Sequence, residues 1–264
     1  LFWSKIYQGN ITALQGKVSL GFTDDASTAT VSLKQRTSPP FTYELIINSP
    51  EIKTTLITGS QKYPLIEGGS GLVPFGYGLN SYYYSLSRLN ASASSVALNL
   101  FGSSRTYTGV SGSAWFDHQW FSVPLSAMSQ TLKPQHEWFS IQLNDGTDII
   151  AWKILGSGTT YSYLGLLKNN GSQLNTTIFN LSPSGYWTAP DGKKYANSWH
   201  LTTSTNNLDL TVKTQVANQQ VKGAVKINGQ NIDSTFYEGG TSVSGTSNGT
   251  NVTGSGYAEL SKTY

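Results

Sequence analysis

Nine consecutive residues, Gly112-Ser113-Ala114-Trp115-Phe116-Asp117-His118-Gln119-Trp120, bring an acid, a histidine and two tryptophans close together. In an extended chain, alternate side chains point to opposite faces. Phe116, His118 and Trp120 then share one face, and Trp115, Asp117 and Gln119 share the other. A histidine flanked by rings at two-residue spacing can donate a proton inside an apolar wall, or it can be a core histidine bonded to a carbonyl. A second carboxyl set among rings is Glu238, in Phe236-Tyr237-Glu238-Gly239. Aromatic desolvation favours its acid form, which suits a general acid. An edge-strand glutamate facing water is the alternative.

Other titratable residues carry less. Asp145 and Asp191 each precede glycine and read as turn residues. His136, Glu137, Asp148 and His200 complete the candidates. The three histidines are far apart and form no H-E-x-x-H helix. There is no G-x-S-x-G elbow and no phosphate loop, and Gly76-Tyr77-Gly78 lacks the strand–helix unit of a dinucleotide site. What remains is acid–base chemistry without a cofactor or metal.

The elements that hold these residues are strands. Of 264 residues only 12% are charged while 12% are aromatic, a balance that suits sheets. The net charge of +3 is unclustered, and Lys193-Lys194 is the only adjacent basic pair, which excludes a nucleic-acid stripe. No apolar run approaches the roughly 18 residues of a membrane helix. Cysteine is absent, so disulfide and thiolate chemistry are excluded. The chain begins at Leu1 without a signal-like segment and reads as a processed or trimmed product. Asn10, Asn90, Asn170, Asn175, Asn180, Asn248 and Asn251 open N-glycosylation sequons. They exceed the roughly four that composition predicts by chance, which leans toward a secreted glycoprotein.

Strands are predicted at 17–22, 29–33, 41–47 and 52–58, followed by a glycine-rich loop from Gly68 to about Asn80. Ser81-Tyr82-Tyr83-Tyr84-Ser85 reads as a strand with tyrosines on both faces. A hairpin closes around Gly102-Ser103-Ser104, and another around Asn144-Asp145-Gly146 between 137–143 and 148–154. Residues 124–132 form the only plausible helix. Strands over 161–168 and 174–181, a Ser-Pro-Ser-Gly turn, and further strands to 252–260 complete the pattern. Ten-residue spacing with tight turns implies antiparallel barrels or sandwiches, too many strands for one barrel. Two units are expected, 1–110 and 111–264.

Five segments in order resemble a known family: Tyr82-Tyr83-Tyr84-Ser85, the 112–120 stretch, Trp138-Phe139-Ser140-Ile141-Gln142-Leu143-Asn144-Asp145-Gly146, Phe236-Tyr237-Glu238-Gly239 and the ending at 252–260. Together they are similar to the carotenoid 1,2-hydratase and AttH-like family of tandem lipocalin-type barrels, from about residue 60 onward. Residues 1–60 depart from it, with a short first barrel and Leu1-Phe2-Trp3 as the remnant of its opening. The resemblance implies two lipocalin-like antiparallel β-barrels with a hydrophobic pocket. It also implies an enzyme of the kind that hydrates carotenoids or prenylated phytoalexins, or that catalyses Diels–Alder and hetero-Diels–Alder cyclisation. On it, Asp117 and His118 become the catalytic candidates. Trp115, Trp120, Trp138, Tyr82 and Tyr84, with Glu238, would meet an isoprenoid or polyketide–terpenoid substrate. The alternatives are a non-enzymatic lipocalin-type carrier of a lipophile and, further off, a glycan-binding sandwich.

Overall fold

The computed structural model describes residues 9–13, 19–24, 27–36, 41–76, 79–121, 135–156, 159–227, 230–233 and 235–264. The expected helix at 124–132 lies outside them. By packing, the described residues divide into two units: one takes those of Pro64–Ser85 and Asp117–Tyr264, the other those from Gly9 to Tyr63 and of Leu86–Phe116. The expected join near residue 110 falls inside a strand.

The second unit is an antiparallel meander of β1 (Gly9–Ala13), β2 (Ser19–Asp24), β3 (Thr30–Gln35), β4 (Thr42–Asn48) and β5 (Ile52–Ser60). In the first unit, β6 (Leu65–Ile66) and β7 (Leu72–Gly76) follow. A turn and a short strand therefore occupy much of the stretch expected to be loop. Next come β8 (Leu79–Leu100) and β9 (Ser103–Phe121), 22 and 19 residues long. Their Phe101-Gly102 connection has φ of 53° and 73°, the left-handed pair of a two-residue hairpin turn. Both strands pass from one unit to the other. Within the second unit β5 pairs with β8 from Ile52↔Leu98 to Ser60↔Leu89, and Tyr43 stacks on Phe116 at 5.1 Å.

The remaining strands of the first unit are β10 (Gln135–Leu143), β11 (Asp148–Gly156), β12 (Thr159–Leu167), β13 (Gln173–Thr176), β14 (Asn180–Thr188), β15 (Lys194–Thr203), β16 (Leu208–Thr214), β17 (Gln220–Val221), β18 (Ala224–Ile227), β19 (Gln230–Asp233), β20 (Phe236–Ser247) and β21 (Thr250–Leu260). A curled antiparallel sheet orders them β13-β12-β11-β10-β21-β20-β16-β15-β14, with β17 on β20 and β18–β19 as a separate ribbon. The all-β, lipocalin-like expectation is met. The Ser-Pro-Ser-Gly segment is not a turn but lies within β14, where the register shifts around Pro183 and Gly185. A bulge there accommodates the proline, which cannot donate to a ladder.

Phe139, Ile141, Leu143, Ile149, Ala151, Leu164, Leu166, Leu201, Leu210, Val212 and Leu260 form the inward core around Trp199. Trp199 is fully buried, edge-on to Phe139 at 4.9 Å, and donates from Nε1 to Glu137 Oε1 at 3.3 Å. We expect Trp199→Ala to cost about 3–5 kcal/mol in denaturant unfolding, the range for deleting a large buried ring. A loss below about 1 kcal/mol would mean that this ring does not anchor the barrel.

Candidate functional site

In β10, β11 and β12 the residues of the other parity point away from the inward core, yet most of them are also buried. Register partners across an antiparallel sheet share a face. Tyr163↔Trp152, Trp152↔Trp138, Trp138↔Glu259 and Glu259↔Glu238 therefore form one row across β12, β11, β10, β21 and β20. A row of three rings running into two carboxyls is the floor of the candidate site.

The segment from β6 to the start of β8 lies on this floor. Leu65 and Ile66 pair with Ser85 and Tyr84. Gln173 then clamps the Ile66 peptide, accepting from its N–H at 3.0 Å and donating to its carbonyl at 2.8 Å. Tyr163 Oη lies 3.0 Å from that carbonyl and 2.8 Å from Asn175 Oδ1. Residues Glu67–Gly69 then make one 3-10 turn, with Gly68 at φ 59° and Gly69 at φ 73°. Left-handed backbone favours glycine, and a Cβ on Gly68 would sit 3.1 Å from the Tyr161 hydroxyl. This close approach delivers Glu67 to the face.

Glu67 is 0% exposed, and neither of its carboxyl oxygens has a hydrogen-bond partner among the described residues. The buried Tyr161 hydroxyl likewise has none. Burial, and then the charge of Asp117, push the Glu67 carboxyl well above its ordinary value. Both effects favour the acid form.

Asp117 stands on the same side. Its Oδ1 accepts from Ser85 Oγ at 2.6 Å, and its carboxylate is also hydrogen-bonded to the Tyr83 side chain. Tyr83 is buried and edge-on to Trp152 at 5.6 Å. Burial first, then Asp117, Glu67 and Glu259, raise its phenol. At the other end of the row, Glu238 is raised by burial and then by Glu259, while Tyr257 Oη donates to its Oε2 at 3.1 Å. Glu259 Oε1 lies 2.8 Å from His136 Nε2, and His136 Nδ1 lies 2.9 Å from Ser261 Oγ.

The predicted site residues divide. Asp117, Trp138 and Glu238 belong to this face. His118 does not share the Asp117 side: its Nδ1 lies 3.0 Å from Tyr84 Oη, and its ring contacts Trp120 at 4.9 Å. Trp120 stacks on Tyr82 at 5.7 Å. Tyr82, Tyr84, His118 and Trp120 are thus a separate ring patch, two of whose members are exposed. Burial lowers the His118 pKa, so the imidazole is neutral at neutral pH. Trp115 belongs to the second unit and is half-buried. Glu137 points inward, held by Lys262 Nζ at 3.2 Å and Tyr264 Oη at 2.6 Å. His200 pairs with Asp209 at 2.7 Å in an exposed position, and Asp145 accepts from the Thr147 N–H as a turn residue does. Among the described residues, no three His, Cys, Asp or Glu side chains are grouped to hold a metal ion.

The sequence matches the AttH-like family over residues 13–264. This chain is a member of the AttH-like family. Similar folds include a protein assigned as an AttH from Nitrosomonas europaea, at TM-score 0.70 and 22% identity, covering 94% of this chain and 71% of that one. Kievitone hydratase from Nectria haematococca gives 0.64 and 15%, covering 95% and 86%. CghA, solved with Sch210972, gives 0.57 and 12%, covering 95% and 72%. No curated protein matches the sequence significantly.

In this AttH-like chain Glu67, Trp152, Tyr161 and Glu259 were not singled out from sequence. The available signal for Glu67 was a lone carboxylate closing an apolar pair, Leu65-Ile66, ahead of Gly68-Gly69. Its raised pKa has a thermodynamic consequence. Below the ordinary value of 4.5 both folded and unfolded states hold the proton. Above it the unfolded state ionises first, so stability falls until the folded carboxyl also ionises. Glu67→Gln should therefore lose less stability than the wild type as pH rises above 4.5 in paired urea titrations. Parallel profiles would show that Glu67 is not held protonated.

Proposed function

We propose that this protein is a cofactor-independent enzyme acting on a hydrophobic isoprenoid or polyketide–terpenoid substrate, by acid-assisted hydration or dehydration, by pericyclic cyclisation, or by both in sequence. The observation that carries the reading is the buried Glu67, its carboxyl pushed well above its ordinary value, beside Asp117 on an aromatic face. A carboxyl whose acid form is favoured by burial suits a general acid. Family membership, and a fold shared with a protein named as a hydratase, agree with it.

In hydration, Glu67 transfers its proton to an alkene carbon, leaving carboxylate and a carbocation. Water adds to the cation and gives up a proton to Asp117, which Tyr83 and Ser85 orient. Dehydration runs the same steps in reverse: the proton held on Asp117 leaves with the departing hydroxyl as water, and the Glu67 carboxylate takes the proton from the adjacent carbon as the alkene forms. Trp138, Trp152 and Tyr83 present ring density to the developing charge. For cyclisation the same face holds a reactive conformer while Glu67 donates a hydrogen bond to a polarised carbonyl. His118 is assigned no proton step, because it faces Tyr84 and Trp120.

Export through the secretory pathway is part of the same reading. It is supported by the exposure of Asn90, Asn170, Asn175, Asn180, Asn248 and Asn251.

Incubation with prenylated phenolics and polyene precursors, followed by mass spectrometry, should give a product changed by the mass of water or an isomer of unchanged mass. Glu67→Gln and Asp117→Asn should each lower turnover about 10²–10⁴-fold with folding intact, the usual share of a general acid or base. His118→Ala should stay within about fivefold of the wild type. Binding without product from every ligand would replace the enzyme with a carrier, and full activity in both carboxyl variants would remove the acid–base assignment.

A further inference from the structure

Where the start of β10 meets the end of β21, the ladder changes its last rung. The pairing ends at Glu137↔Leu260, and one step further sets His136 opposite Ser261. The Ser261 N–H donates to the His136 carbonyl at 3.1 Å, but the His136 N–H donates to Ser261 Oγ, at 2.9 Å. A regular antiparallel rung would return that bond to the Ser261 carbonyl. The exchange fixes the hydroxyl beside the imidazole, with Ser261 Oγ 2.9 Å from His136 Nδ1. Across the ring, His136 Nε2 lies 2.8 Å from Glu259 Oε1. Glu259 shares this face because it pairs with Trp138, two residues on from His136. A carboxylate only accepts, so in the neutral imidazole Nε2 carries the hydrogen and Nδ1 presents its lone pair to the Ser261 hydroxyl. The Glu259 side chain is 38% exposed, that of His136 is 13% exposed, and Ser261 is half-buried, so the group opens to solvent.

We propose that Ser261, His136 and Glu259 form an acyl-transfer centre, a second activity beside the chemistry at Glu67, and that its substrates are esters of acidic hydroxyls such as phenols and enols. A nucleophile bonded to a base, with the base held by a third group, is the arrangement that activates a serine. It recurs on unrelated folds with its members in different chain orders, so no G-x-S-x-G elbow is required. Here Nδ1 takes the serine proton while Glu259 holds Nε2 and stabilises the imidazolium. Ser261 Oγ attacks the ester carbonyl, and the Oγ–C bond forms as the hydroxyl proton passes to Nδ1. The C–O bond to the leaving group then breaks, and the departing oxygen takes the proton from Nδ1. Water attacks the acyl-serine, gives a proton to Nδ1, and releases the carboxylic acid as Oγ recovers that proton. The leaving group decides the substrate class. The Ser261 and Lys262 N–H groups both go to the His136 carbonyl, at 3.1 and 3.3 Å, and so are not turned toward a tetrahedral oxyanion. Such a donor is worth about 10²–10³ in rate, so the esters that react are those whose leaving oxygen is already stable as an anion. The Phe236 ring, 6.2 Å from that of His136, offers the acyl group an apolar wall.

The full chain incubated with p-nitrophenyl acetate and quenched in acid should carry an acetyl group on Ser261 by peptide mass mapping, with a burst of nitrophenolate. Ethyl acetate, whose leaving oxygen is a poor anion, should react at least about a hundredfold more slowly. Ser261→Ala should remove the burst, and His136→Gln should slow acylation about 10²–10⁴-fold, the usual share of a general base. Glu259 acts through the imidazole, which gives it a readout of its own. Acylation should quicken with pH through one ionisation, and Glu259→Gln should move that ionisation to lower pH by removing the charge that favours the imidazolium. Ser255→Ala, at an exposed position of the same strand, should leave acylation unchanged. Acetyl found on other side chains but not on Ser261, or an undiminished burst in Ser261→Ala or His136→Gln, overturns the proposal. The adduct map on the wild type decides the matter even where a variant fails to fold. Either result leaves the assignment of Glu67 and Asp117 standing.

Discussion

Burial of β10, β11 and β12 on both faces is the constraint from which the rest of the first unit follows. A half-buried antiparallel strand alternates apolar with polar residues, whereas here residues 137–141 of β10 and 148–152 of β11 are all buried. One set, including Phe139, Ile141 and Ile149, fills the inward core. The other set, including Trp138, Ile150, Trp152 and Ile154, forms a second apolar surface. A sheet covered on both sides can accept few polar groups on either face unless they are paired or uncharged. An acid fully buried on either face is therefore met by donors or has its charged form disfavoured.

The two buried glutamates show both. Glu137 sits among donors, which meet its carboxylate and tie the Lys262–Tyr264 segment to the barrel. Glu67 is carried in on a turn whose glycines allow the backbone to pass close to Tyr161. Nothing donates to it among the described residues, and burial favours its acid form. Equal burial thus yields a structural anchor in one place and, in the other, a carboxyl whose acid form is favoured. The difference lies in neighbouring donors rather than in the glutamates themselves.

Local chemistry was legible in the sequence wherever it depended on neighbours along the chain. Asn144-Asp145-Gly146 closes its hairpin, with Gly146 at φ 85°. The alternation read across 115–120 is also the observed one, with Asp117 on the Ser85 side and His118 on the Tyr84 side. That alternation already separated the two candidate catalytic residues onto opposite faces, although the family resemblance joined them. The 182–185 segment misled because proline and glycine mark bulges as well as turns. The great length of β8 and β9 was hidden because serine, alanine and glycine in them carry little strand signal.

The sequence by itself determined an all-β chain, its principal hairpins, the parity of side chains along each strand and membership of a family. These follow from alternation and turn residues, which act over a few residues at a time. Only the tertiary structure decided which parity meets the site and that Glu67 belongs to it. Gln173 holds Ile66 across 107 residues of chain, and Tyr163 reaches the same carbonyl across 97. Contacts at such separations leave no periodic trace in the residues between them. The protonation state of a carboxyl follows from desolvation and nearby charge, and these are set by what folding brings around it.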